Sequence, residues 1–69
     1  MMTKYYVNNN EQDNGDHEVH TELCGYLPGL ENRVYLGDFT NCSAAVEKAK
    51  KYHKQVNGCY YCSLDCHTG

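Results

Sequence analysis

Alternating apolar and polar side chains mark three short segments as β-strands. In the first, Lys4 to Val7, Tyr5 and Val7 share one face and Tyr6 takes the other. In the second, residues 17–24, one face carries His17, Val19, Thr21 and Leu23, and the other carries Glu18, His20, Glu22 and Cys24. The third segment runs from Arg33 to Phe39, and in it Val34 and Leu36 share one face. Turn dipeptides at Asn14-Gly15 and Pro28-Gly29 separate the segments, and the second predicts a type II turn. We therefore expect a three-stranded antiparallel meander with a long first loop.

The next segment has helical periodicity. Apolar positions recur at spacings of three and four residues, at Cys42, Ala45, Val46, Ala49, Tyr52, His53 and Val56. Thr40 or Asn41 can cap the helix, and Asn57-Gly58 is typical of its end. The sequence thus predicts one α+β domain over residues 1–69: a three-stranded antiparallel sheet, one packed helix in ββ-β-α order, and a Cys-rich C-terminal segment.

Composition indicates that the core alone does not account for the stability of this fold. The chain has 69 residues, 41% of them hydrophobic, and no tryptophan. Domains of this size commonly add disulfides, a metal ion or a partner chain. The five cysteines and four histidines of this chain could form such disulfides or bind such a metal ion. No Ser/His/Asp arrangement, carboxylate pair or Gly-rich phosphate loop indicates catalysis, so we do not predict an enzyme.

The N-terminus bears on the redox environment of these thiols. Met1 to Val7 runs directly into Asn8-Asn9-Asn10, without the apolar stretch of a secretory signal. We therefore expect a cytoplasmic protein that does not enter a membrane. In the reducing cytoplasm, thiols are more often metal ligands or redox groups than permanent disulfides, and five cysteines cannot all pair within one chain.

The C-terminal segment carries the strongest candidate chemistry. Cys59-x2-Cys62-x3-Cys66-His67 places four soft or borderline ligands within a few residues, and a C-x2-C turn can deliver two thiolates to one ion. We expect zinc, held first by Cys59, Cys62 and Cys66, with further ligands from His67, His20 and Cys24. His20 and Cys24 qualify because they share a strand face. Cys42 lies on the apolar helix stripe, where a core thiol is expected.

Two other functions use the same cysteines. In a disulfide-stapled interaction module without metal, Cys24 or Cys42 would pair with a cysteine of the C-terminal segment. In a thiol-redox protein, the C-x2-C pair would react, but such pairs normally lie at a helix N-terminus. Cys59 follows the C-terminus of the predicted helix, where the negative dipole raises a thiol pKa.

Charge is distributed unevenly. Lys48, Lys50, Lys51 and Lys54 lie on the predicted helix, whereas most acidic residues precede it. The net charge of −3 argues against nucleic acid as a partner. The lysine face or the Tyr60-Tyr61 pair could contact an unidentified protein. Nothing in the sequence predicts the oligomeric state.

Several of these motifs together resemble a set of short, uncharacterised bacterial Cys/His-rich proteins. The matching stretches are Asn14-Gly15-Asp16-His17-Glu18-Val19-His20, Tyr35-Leu36-Gly37, Asn41-Cys42, Ala45-Val46 and Cys59-Tyr60-Tyr61-Cys62. The resemblance implies a stand-alone bacterial domain in which the Cys and His positions occur as a group. It implies no activity and no catalytic residue.

Overall fold

A computed structural model of the chain describes residues 1–68. The strands are β1 (Thr3–Asn8), β2 (His17–Thr21), β3 (Arg33–Phe39) and β4 (Val56–Gly58), and the helix is α1 (Cys42–Ala49). Single turns of 3₁₀ helix occur at Leu30–Asn32 and Leu64–Cys66. The prediction of an α+β domain with one helix is confirmed for the described residues.

The sheet differs from the predicted one by a fourth strand. Its order is β3-β1-β2-β4; β1 pairs antiparallel with both β2 and β3, and β4 pairs parallel with β2. The sheet is therefore mixed, and the prediction of three antiparallel strands is wrong in this detail. Periodicity assigned Val56 to the helix, but Val56 lies in β4, where it pairs with His17 of β2.

The helix is shorter than predicted. Asn41 caps the helix, because its Oδ1 accepts a hydrogen bond from the backbone N–H of Ala44 at 3.1 Å. Asn41 is one of the two residues predicted as the cap. The helix ends at Ala49 and not at Val56. The residues after Ala49 form turns, and the backbone carbonyl of Gln55 then accepts the N–H of His17. Pairing with β2 thus prevails over the helical pattern of this segment.

The core lies between α1 and one face of the sheet. It consists of buried side chains from the sheet and from the helix: Tyr5, Val7, Val19, Leu36, Cys42, Ala45 and Ala49. The predicted faces of β1 and β3 are confirmed, since Tyr5, Val7 and Leu36 are buried.

A bulge interrupts β3. Tyr5 pairs with Gly37 and Tyr6 pairs with Tyr35, so β3 has one more residue than β1 at this point. The extra residue is Leu36, and the following Gly37 has φ +132°, a conformation that side chains with a Cβ rarely adopt. The bulge thereby places the buried Leu36 between Tyr35, which is exposed, and Gly37, which is partly buried.

The two predicted turns have different outcomes. Gly15 has φ +91°, consistent with the turn predicted at Asn14-Gly15. Gly29 has φ −61° and ψ 163°, so the type II turn predicted at Pro28-Gly29 is wrong. Its carbonyl instead accepts the N–H of Asn32 in a 3₁₀ turn.

The C-terminal segment is held by a disulfide and by side-chain hydrogen bonds. Cys42, at the start of α1, is bonded to Cys66. The buried amide of Asn57 donates to the carbonyl of Thr68 at 2.8 Å and accepts the N–H of Thr68 at 2.9 Å. The segment therefore folds back over β4 and reaches the helix.

Candidate metal centre

Four side chains from distant parts of the chain converge on one point. They are His20, Cys24, Cys59 and Cys62, and their potential ligand atoms all lie within 4.8 Å of one another. His20 comes from β2, Cys24 from the turn that follows β2, and the other two from the segment after β4. The cluster offers one imidazole nitrogen and three sulfurs, a donor set that suits a soft or borderline metal ion.

His20 is fixed by the alternation of β2. Val19 points into the core, so His20 points to the opposite face of the sheet, where the C-terminal segment leaves it only 1% exposed. Its Nδ1 is buried without a hydrogen-bond partner, and its Nε2 lies 3.9 Å from the Glu18 carboxylate. Burial lowers the pKa of His20, which favours the neutral imidazole. A neutral imidazole with an unpartnered buried nitrogen is suited to bind a metal.

Cys24 reaches the cluster through a turn. The prediction that β2 continues to residue 24 is wrong: the strand ends at Thr21, and the N–H of Cys24 donates to the Thr21 carbonyl at 3.2 Å. The Sγ of Cys24 lies 3.9 Å from the Sγ of Cys59 and accepts the N–H of Tyr26 at 3.4 Å. His20 and Cys24 thus meet, but by a reversal of the chain and not along a strand face.

Cys59 and Cys62 are positioned by β4 and by the turn after it. The N–H of Cys59 donates to the Val19 carbonyl at 3.0 Å, which extends the pairing with β2 by one bond. The N–H of Ser63 then donates to the Cys59 carbonyl at 2.9 Å, so the chain turns between the two cysteines. The Sγ of Cys62 accepts the N–H of Thr21 at 3.3 Å.

The three sulfurs have different proton affinities in the metal-free protein. Burial raises the pKa of Cys59 to about 12 and also raises that of Cys24. Burial acts in the same direction on Cys62, but the Thr21 N–H and neighbouring S–H and O–H groups outweigh it and lower the Cys62 pKa. The raised pKa of Cys59 has the direction expected from sequence, although its cause is burial and not a helix dipole. A raised pKa disfavours Cys59 as the attacking thiol of a C-x2-C dithiol.

The other predicted ligands lie outside the cluster. Cys66 forms the disulfide with Cys42, and a sulfur bonded in this way offers no thiolate. His67 points its Nδ1 at the Gly58 carbonyl, 2.9 Å away. Cys42 is buried in the core, as expected, and it is bonded to Cys66. This is one of the pairings expected of a disulfide-stapled module, in which Cys24 or Cys42 would pair with a C-terminal cysteine. The sequence did not select Cys42 over Cys24, because the pairing depends on how the tail crosses to the helix side.

Glu18 is a residue of this region that our sequence analysis did not select. Its side chain is only 18% exposed, and it lies beside His20 on the same face of β2. The alternation of β2 was the available signal, since residues two apart in a strand share a face. Glu18 and His20 also help to line a cavity of about 310 Å³, whose other walls include Tyr26, Tyr60 and Tyr61.

Comparison with known proteins adds no identification. No protein-family model, curated protein or solved structure matches the chain. Within residues 1–68, no helix has the length and hydrophobicity needed to cross a membrane.

Proposed function

We propose that this protein is a small zinc-binding domain in which His20, Cys24, Cys59 and Cys62 hold one Zn²⁺ ion that stabilises the fold. The observation that carries the proposal is the convergence of four potential ligand atoms within 4.8 Å, one of them the nitrogen of a buried histidine.

The spacing of the sulfurs fits a tetrahedral ion. A tetrahedral Zn²⁺ with Zn–S bonds of about 2.3 Å separates two thiolates by about 3.8 Å. The Sγ atoms of Cys24 and Cys59 lie 3.9 Å apart, without a bond between them. These two sulfurs are therefore already at the separation that zinc requires.

The surrounding groups support thiolate and imidazole ligands. Backbone N–H groups of Thr21 and Tyr26 point at the sulfurs of Cys62 and Cys24, where they would stabilise negative charge. The Nδ1 of His20 has no hydrogen-bond partner that would compete with an ion, and its Nε2 lies 3.9 Å from the Glu18 carboxylate. Metal-bound histidines commonly donate their second N–H to a carboxylate, which fixes the ring. A small movement of Glu18 toward Nε2 would make it such an outer partner of the site.

A bound ion would connect the parts of the fold that the small core connects least. The turn after β2 and the segment after β4 meet at this cluster and at the stacked rings of Tyr26 and Tyr61. Structural zinc in small finger peptides contributes about 10–16 kcal/mol of apparent binding free energy. Four protein ligands complete a tetrahedral shell, which is typical of structural sites, whereas catalytic sites retain an open position.

Native mass spectrometry tests the proposal directly. We expect protein purified without chelator to carry the mass of one zinc ion, and to lose it under acid denaturation. Replacing zinc by Co²⁺ should give the thiolate charge-transfer absorption and the intense visible bands of a tetrahedral site. A folded protein without metal, and without uptake of added zinc, would contradict the proposal.

Matched cysteine variants locate the ligands. Cys62→Ala should weaken zinc binding by more than the roughly 10–100-fold that loss of an outer partner costs. The double variant Cys42→Ala/Cys66→Ala removes the same kind of atom outside the cluster and should keep one zinc per chain. Equal zinc affinity in Cys62→Ala and the unaltered protein would remove Cys62 from the site.

A disulfide-stapled interaction module is the second candidate, and the Cys42–Cys66 bond favours it. This disulfide uses none of the cluster sulfurs, so it is compatible with a zinc site. Without metal, the module would leave Cys24, Cys59 and Cys62 as three free thiols. Counting the alkylated cysteines in the unfolded, metal-free protein confirms the disulfide, and the native mass then decides between the two functions.

A further inference from the structure

The cavity beside the cluster has the character of a site for a cation. The residues that line it are Tyr26, Tyr60, Tyr61, Glu18 and His20, together with Asn8 and Gln12. No lysine or arginine of the described chain is among these residues. Its volume of about 310 Å³ lies at the lower end of the range of about 300–1,000 Å³ for ligand pockets. The space therefore suits a small head group.

The three tyrosine rings of this cavity lie close together and differ in orientation. The rings of Tyr60 and Tyr61 lie at 86° to each other with centroids 5.3 Å apart, and Tyr26 stacks on Tyr61 at 4.5 Å. Faces of aromatic rings carry partial negative charge and attract cations, and quaternary ammonium groups are recognised in cages of this type. Each of the three rings is more than half exposed. Packing in the core does not account for their position.

Charge on the cavity wall favours a cation over a neutral ligand. Glu18 supplies a carboxylate that is largely shielded from solvent. If the proposed zinc site is correct, three thiolates and one Zn²⁺ leave a net charge of −1 behind His20. Only this second contribution rests on the proposed function.

We propose that this tyrosine-lined cavity binds a methylated ammonium group, carried either by a free small molecule or by a methylated lysine side chain. Methylation spreads the positive charge over an apolar surface that can contact the rings. A primary ammonium is a compact, strongly hydrated charge, whereas a methylated one can use the three tyrosines as well as the single carboxylate of the cavity. The ligand class is thus selected by the combination of rings and a single acid.

The cysteines explain how the rings are placed. Tyr60 and Tyr61 are the two residues between Cys59 and Cys62, and the N–H of Tyr26 donates to the Sγ of Cys24. All three rings therefore lie on backbone that the cluster holds. The two tyrosines inside the C-x2-C turn thereby acquire a role in this arrangement.

Titration with choline and its neutral isostere 3,3-dimethylbutan-1-ol tests the proposal, with the tyrosine ring resonances followed by NMR. We expect saturable shifts at Tyr26, Tyr60 and Tyr61, and a preference of about tenfold for choline, as one or two cation–π contacts supply. Equal binding of the two compounds, or no saturable shift with choline at its highest usable concentration, would overturn the proposal.

Peptides identify the source of the cation. A short peptide with trimethyllysine should bind more tightly than the same peptide with unmodified lysine; equal binding of both would contradict the preference for methylated ammonium. Tighter binding of the trimethyllysine peptide than of choline would identify a protein side chain as the ligand, and the reverse order a free small molecule.

Two variants separate the cavity from general effects. Tyr61→Leu should weaken choline binding roughly two- to fivefold, which is the loss of one cation–π contact. Tyr52→Leu replaces a similarly exposed tyrosine outside the cavity and should leave binding unchanged. The titrations are run on protein of known zinc content. Should the folded protein carry no zinc, choline binding to that form would still support the cavity while the zinc proposal fails.

Discussion

The Sγ atoms of Cys24 and Cys59 lie 3.9 Å apart, although 35 positions separate the two residues in the chain. This proximity results from two features: the chain turns immediately after β2, and β4 pairs with β2 in parallel. Both features involve β2, so this strand organises the cluster as well as the core. Changes to the chain can therefore be designed to affect one of these parts and spare the other.

The disulfide and the cluster should respond to different treatments. Closing a loop with a sequence separation of 24 contributes roughly 3 kcal/mol by restricting the unfolded chain, so Cys42→Ala/Cys66→Ala should lose about this much stability. Urea denaturation measures the loss. A reductant should reproduce the effect in the unaltered protein, whereas a zinc chelator should destabilise both proteins. If the chelator destabilised only the disulfide-bonded form, the disulfide and the cluster would not contribute to stability independently.

Gly58 is expected to tolerate no side chain. A Cβ at this position would lie 2.7 Å from the Ser63 carbonyl oxygen and 2.8 Å from the Cβ of Cys66. Gly58→Ala should therefore push the C-terminal segment away from β4 and lower stability by about 1–3 kcal/mol, the usual cost of overpacking. Thermal unfolding measures this change.

Gly25→Ala is the matched control for this substitution. Nothing lies within 4 Å of a Cβ at Gly25, so the melting temperature should stay close to that of the unaltered protein. Equal melting temperatures for the two alanine variants would show that the segment does not pack on Gly58 in solution.

Asp16 should give the protein an acid-dependent component of stability. Hydrogen bonds from the side chains of Gln55, Asn57 and Asn14 favour the carboxylate and lower the pKa of Asp16 below its usual value. Because the folded-state pKa is the lower one, this contribution is present above the unfolded-state pKa and is lost as the pH falls through the folded-state pKa. Asp16→Asn should thus be destabilising near neutrality and approach the unaltered protein in acid.

Melting temperatures measured from neutral pH down to about pH 2 test this expectation. Loss of zinc in acid affects both proteins, so the difference between them isolates Asp16. Asp13→Asn, which removes an exposed carboxylate from the same loop, is the control for the change of charge. A difference that stays constant over the whole pH range would exclude the carboxylate as its source.

Asn41 should stabilise α1 through its side chain. Its Oδ1 accepts the N–H of Ala44, one of the helix donors that have no partner within the helix. Asn41→Ala should cost about 1 kcal/mol in chemical denaturation, whereas Asn41→Ser should retain most of the stability because serine is also a good cap. Equal losses in both variants would point to a role of the amide other than capping.

Local patterns predicted the faces of β1 and β3, the helix cap and the turn at Gly15, because these depend on neighbouring residues. They failed at Val56, which matches the helical spacing but pairs with His17 in a parallel strand. Such pairing depends on residues far away in the chain and leaves no periodic trace in three positions. The sequence left open for the same reason whether Cys24 or Cys42 pairs with a C-terminal cysteine: the Cys42–Cys66 bond depends on where α1 begins relative to the folded-back tail.

The bulge at Leu36–Gly37 also has a consequence for the outer edge of the sheet. β3 is an edge strand of seven residues, and its unpaired backbone groups could serve as a template for a strand of another molecule. An extra residue breaks the regular spacing of these groups, and Arg33 and Asp38 place opposite charges near the two ends of the strand. An approaching strand could match only a short stretch on either side of the interruption. The feature that buries Leu36 thereby also protects the domain against edge-to-edge association.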